Sequence, residues 1–131
     1  MPMKRLTYIL MAILLMIGLV GIVGCTETEY HPGGGGPAAT GGKLEILSHH
    51  MTTGEYGNVI VEGQAKNVGG SNLAYAEVRV KFYDSAGSLI DTSLDNINDL
   101  GANETWNFEV FYLGMHEEEV ATYEIGVGSC F

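Results

Sequence analysis

From Lys43 onward, apolar and polar residues alternate one for one, the two-residue period of strands that bury a single face. The clearest run is 74–84, where Ala76, Val78, Val80 and Phe82 fall on one side and Glu77, Arg79 and Lys81 on the other. The pattern recurs at 59–67 with Val59, Val61, Gly63 and Ala65 inward, at 105–112 with Trp106, Phe108 and Val110 inward, and at 122–127. Weaker strands are predicted at 44–48 and 89–94, which makes six to seven in all. Turn chemistry separates them at 53–54, 68–72, 84–87 and 98–103. Asp84-Ser85-Ala86-Gly87 suits a type I turn followed by a left-handed glycine, so its flanking strands should pair as a hairpin. Helical spacing is absent, and short strands with frequent turns predict an all-β sandwich or barrel over 43–131. A core of this size leaves little room for an enclosed active site.

The first 24 residues obey a different rule. After Lys4-Arg5 comes an uncharged, mostly apolar run of 18 residues, 6–23, with the basic start and apolar stretch of an export signal. That length would also just span a bilayer as a helix. The run ends in Ile22-Val23-Gly24-Cys25, which resembles the lipobox of prokaryotic lipoproteins. The small residue before the thiol admits a peptidase, and the thiol accepts the lipid. The expectation is a signal peptide over 1–24, lipidation at Cys25, and a domain held on the extracytoplasmic side of the cell membrane. Between them, 25–42 is rich in Gly and small polar residues and reads as a flexible tether, with a span of roughly 20 to 25 Å. Its run Gly33–Gly36 lacks the Lys and the following helix of a phosphate-binding loop.

Charge narrows the partners. Beyond residue 24 the chain holds four basic side chains (Lys43, Lys66, Arg79, Lys81) and sixteen acidic ones, a net −12. Nucleic-acid binding needs clustered cations, so it is not expected. With Cys25 assigned to lipid, Cys130 is left over, as a free thiol or half of a bridge.

Three stretches carry a family resemblance: Val61-Glu62-Gly63-Gln64-Ala65-Lys66-Asn67; Val78-Arg79-Val80-Lys81-Phe82-Tyr83-Asp84-Ser85-Ala86-Gly87; and Leu100-Gly101-Ala102-Asn103-Glu104-Thr105-Trp106-Asn107-Phe108. Together they resemble the FxLYD domains of prokaryotic surface proteins. The name-giving motif stands here as Val80-Lys81-Phe82-Tyr83-Asp84, and Gly101-Ala102 replaces the usual Pro-Gly. The resemblance covers about 59–127. It implies an immunoglobulin-like antiparallel β-sandwich displayed outside the cytoplasm and says little of function.

Candidate chemistry is sparse. His49 and His50 are neighbours on a strand and should face opposite ways, which does not suit one metal ion. Ser48 beside them is the only cluster suggestive of hydrolysis. His116-Glu117-Glu118-Glu119 reads as a solvated turn. Asn103-Glu104-Thr105 is a glycosylation sequon in a predicted turn. No enzyme, cofactor or resident metal is expected. The functional expectation is a membrane-anchored lipoprotein whose sandwich is a non-catalytic protein-binding or structural module of the envelope. It would meet another envelope protein through the outward residues Ile60, Tyr75, Tyr83 and Phe111. The alternative is a cation- or solute-binding lipoprotein using an acidic loop at 91–104, with Asp91, Asp95, Asp99 and Glu104.

Overall fold

Seven strands form among the described residues: β1 His31–Pro32, β2 Leu44–Thr53, β3 Val59–Asn67, β4 Leu73–Tyr83, β5 Leu89–Leu100, β6 Thr105–Phe111 and β7 Thr122–Cys130. They belong to a computed structural model that describes residues 29–34 and 42–131. The strands make two antiparallel sheets, ordered β1-β7-β4-β5 and β2-β3-β6. The chain changes sheet after β1, β3, β5 and β6, so the molecule is a Greek-key, immunoglobulin-like sandwich.

The inward residues of both sheets meet between them. Val78, Val80, Phe82 and Ile125 from one sheet and Leu44, Val61, Phe108 and Val110 from the other have no exposed surface. Phe82 crosses the gap to Tyr112 edge-on, with ring centroids 5.5 Å apart. Trp106 is buried and packs on Phe108.

The hairpin at 84–87 takes the expected form. Gly87 has φ 80°, its N–H donates to the Asp84 carbonyl, and Asp84 Oδ1 accepts the N–H groups of Ala86 and Ser88.

One end of the sandwich is stapled by the buried Asn67. Its Nδ2 donates to the carbonyls of Ser71 and Leu100 at 2.9 Å, and its Oδ1 accepts the Gly69 N–H. One side chain thus fixes the 68–72 turn against the end of β5.

Three features depart from the sequence expectation. β2 continues to Thr53, so Ser48, His49 and His50 are strand residues. β5 continues to Leu100, so 91–100 is a strand and the acidic residues there do not form a loop. The third lies inside the expected tether: His31 and Pro32 pair with Ile125 and Glu124, and β1 extends the sheet at β7. Periodicity could not reveal a two-residue strand in a Gly-rich stretch, because two residues show no period.

Candidate functional site

Alternation sends Tyr75, Glu77, Arg79, Lys81 and Tyr83 to the outer face of β4. Glu77 is nevertheless 4 % exposed. It is covered because Gly128 on β7 leaves space that its carboxylate fills. The carboxylate accepts the Tyr75 hydroxyl at 2.6 Å and the Arg79 Nε–H, and is bonded by the Ser129 backbone. Burial works against the charge of Glu77, but these donors outweigh it and hold the carboxyl below its usual range.

Residues 29–34 lie against the same sheet. Tyr30 rests between the two cations of this face, hydrogen-bonded to Arg79, with Lys81 Nζ 4.0 Å from its ring centroid. Tyr83 donates to Glu124 at 2.8 Å. Tyr75 stacks on Phe131 at 5.5 Å. The outer face of β4 and β7 therefore carries two cations against two carboxylates, Glu77 and Glu124, and its charge balances while the chain beyond residue 24 is strongly acidic.

On the side where β2 meets β7, His49 points inward and is 5 % exposed. Its Nδ1 lies 2.7 Å from the Tyr123 hydroxyl. Burial, then the charges of His31 and His50, hold the His49 imidazole below its ordinary range, and burial keeps Tyr123 protonated. The bond thus joins a protonated phenol to a neutral imidazole, whose tautomer sets which of the two donates. A groove of about 360 Å³ opens here, lined by Gly33, Gly34, His49, His50, Met51 and Tyr123 among others. Ser48 is exposed, and His50 faces outward to Glu62 at 2.9 Å. The two histidines thus diverge, and the His49 ring is bonded to a phenol rather than to a nucleophile.

On the opposite side, the carboxylates of β5 close the gap to β6. Asp91 Oδ2 accepts the Leu113 N–H and Asp95 Oδ2 accepts the Glu109 N–H, each at 2.9 Å. Their Oδ1 atoms accept the N–H groups of Thr92 and Asn96 on their own strand. Asp99 takes a left-handed conformation with φ 56°, and Glu104 accepts the Gly101 N–H across the next turn. The four acids are thus spread along a strand and a turn. Asn103, in the same turn, is exposed with φ 64°.

Among the described residues, one group of three metal-capable side chains converges, His116, Glu118 and Glu119, with ligand atoms within 4.8 Å of one another. All three are exposed on a 3-10 turn.

The four outward residues expected to share an interaction surface do not. Ile60 and Phe111 face each other across β3 and β6, whereas Tyr75 and Tyr83 belong to the other sheet and are held by Glu77 and Glu124. Sequence reasoning also missed Tyr30, Glu77, Asn67 and Tyr123, whose roles depend on partners far along the chain. The lipidation candidate Cys25 and the run 6–23 lie outside the described residues. Among those described, no helix is long and apolar enough to cross a membrane. Cys130 is buried and disulfide-bonded.

No family model matches the sequence, and no solved structure matches it. The chain is 35 % identical over 131 residues to an uncharacterized protein of Methanocaldococcus jannaschii, MJ0360, with 97 % of each chain covered.

Proposed function

We propose that this chain, which belongs to the same family as the M. jannaschii protein, is a membrane-anchored surface lipoprotein whose sandwich serves as a non-catalytic binding or structural module of the cell envelope. The observation that carries this reading is the succession Lys4-Arg5, apolar run 6–23, Ile22-Val23-Gly24-Cys25, which delivers a thiol to the membrane boundary. The FxLYD-like pattern of the domain supports an extracytoplasmic setting. The similarity to the M. jannaschii protein takes in nearly the whole of both chains, leader and domain together.

Support for a non-catalytic role comes from where the reactive side chains are spent. Catalysis asks for a nucleophile, a base and an orienting group in one cleft. Here His49 is buried against Tyr123 while Ser48 is exposed on the strand, and the carboxylates of Asp91 and Asp95 each accept two N–H groups. The cation- or solute-binding alternative draws no support from acids so engaged.

Intact-mass measurement of the protein recovered from membranes tests the reading. A chain that begins at Cys25 and carries a diacylglyceryl thioether supports it, and Cys25→Ser should then accumulate as the uncleaved precursor. The chain has two cysteines and Cys130 is disulfide-bonded, so lipid at Cys25 requires that the Cys130 bridge run to another chain, and a Cys25–Cys130 bridge in the recovered protein overturns the proposal. A chain without lipid at Cys25, or normal processing of Cys25→Ser, overturns the proposal.

A further inference from the structure

Residues 26–42 read in sequence as a 17-residue spacer that lifts the domain clear of a membrane, and β1 cancels that spacer. His31 is fixed to Ile125 and Pro32 to Glu124, with the Gly33 N–H bonded to the Tyr123 carbonyl at 2.7 Å. Tyr30 is clamped between Arg79 and Lys81. The Gly-rich stretch after β1 is therefore the connection to β2, and four residues, 26–29, stand between Cys25 and the clamped Tyr30.

Direction matters as much as length. β1 is antiparallel to β7, so the step from Pro32 back to His31 points along β7 toward Cys130 and Phe131. His31 is six positions from Cys25, a reach of at most roughly 20 Å when fully extended. Ile125 is likewise six positions from Phe131, about 20 Å of strand. Cys25 can therefore pass the Phe131 end of the sandwich by very little. The same limit holds whether 6–23 is cleaved or kept as a helix, since either leaves the membrane boundary at residues 23–25.

We infer that the sandwich stands end-on against the bilayer, with the Phe131 end touching the lipid headgroups and the opposite loops facing away. This rests on the membrane-anchored reading above. The proximal end comprises the 68–72 and 101–104 turns, the start of β2 and Phe131. Phe131 is 69 % exposed and stacked on Tyr75, an aromatic pair of the kind that suits a membrane interface. Lys43 and Lys66 lie at this end against Glu45, Asp99 and Glu104. The far end, formed by the turns at 54–58 and 84–88 and the loop 112–121, carries Glu55, Asp84, Glu117, Glu118 and Glu119 and neither Lys nor Arg. Anionic headgroups repel that end more strongly. The orientation also turns Tyr56 and Met115, about nine-tenths exposed, toward any envelope partner.

The test uses the full chain, isotope-labelled, recovered with its anchor and placed in phosphatidylcholine nanodiscs containing a gadolinium-chelating headgroup lipid. The backbone amides of 68–72, 102–104 and Phe131 should lose signal most, and those of 54–58, 84–88 and 114–119 least. The Tyr30→Ala variant should lose this contrast, because releasing the clamp restores the longer tether. The Asn103 sequon, at the proximal end, should stay unmodified in the anchored protein. Uniform signal loss in the unaltered chain, or strongest loss at 54–58 and 114–119, overturns the orientation while leaving the anchoring reading intact. Failure of the protein to co-purify with the nanodiscs overturns both.

Discussion

Glu77 shows what a single residue can do against the pattern around it. It occupies a solvent-side position of β4, yet Gly128 opposite it offers a space that its carboxylate fills beneath Arg79 and Tyr75. A carboxyl held below its usual range adds stability that is full above the ordinary carboxyl value, near pH 4.3, and is lost as pH falls through the lower folded one. Glu77→Gln should therefore cost about 1–3 kcal/mol at pH 7, with the gap from the unaltered protein closing toward pH 3 in urea titrations. His49 has the same sign from the opposite charge. Its proton binds less readily in the folded chain, so stability is full above about pH 6.5 and falls as pH drops below it. His49→Gln should flatten the stability profile between pH 7 and pH 5, and an unchanged slope would refute the assignment. Both residue types were visible in the sequence. Their burial was not, because it comes from Gly128 and Tyr123, 51 and 74 positions away.

At the scale of elements, the strand content was legible because each long strand buries one face and so carries the two-residue period. What periodicity could not show was how strands close against each other at their sides. β5 was readable only to Leu94, since beyond it Asp95, Asn96, Asn98 and Asp99 resemble a turn. Its pairing with β4 continues to Leu100, and its inward carboxylates latch onto β6. Asp91→Ala with Asp95→Ala should lower stability by about 1–2 kcal/mol and expose two strand edges. Sedimentation velocity would then detect self-association absent from the parent. On β2, the register shift between Ile46 and Ser48 pairs Ser48 with Gln64 and His49 with Gly63, and a Cβ added at Gly63 would meet the Ser48 carbonyl and the Phe108 ring. Gly63→Ala should cost about 2 kcal/mol or more, read from the chemical denaturation midpoint, since backbone cannot move aside as a side chain can.

For the molecule as a whole, charge sets the condition of stability. A net −12 on the chain beyond residue 24 opposes compaction, so added NaCl should raise the thermal midpoint by screening carboxylate repulsion. A midpoint that falls with salt would show that ion pairs such as Glu77–Arg79 outweigh the repulsion. The same charge, distributed unevenly between the two ends, accompanies the direction in which β1 leads the chain away from the domain.

The all-β class, the positions of β3, β4, β6 and the start of β7, their core-facing residues and the 84–87 turn were legible in the sequence alone, because alternation and turn chemistry are local and need no partner to be read. The tertiary structure alone decided that the tether is pinned by β1, that the acids of β5 latch one side while His49 and Tyr123 close the other, and that Ile60 and Phe111 face away from Tyr75 and Tyr83. Each of these rests on pairing between residues distant in the chain, and no local pattern encodes which strands will be neighbours.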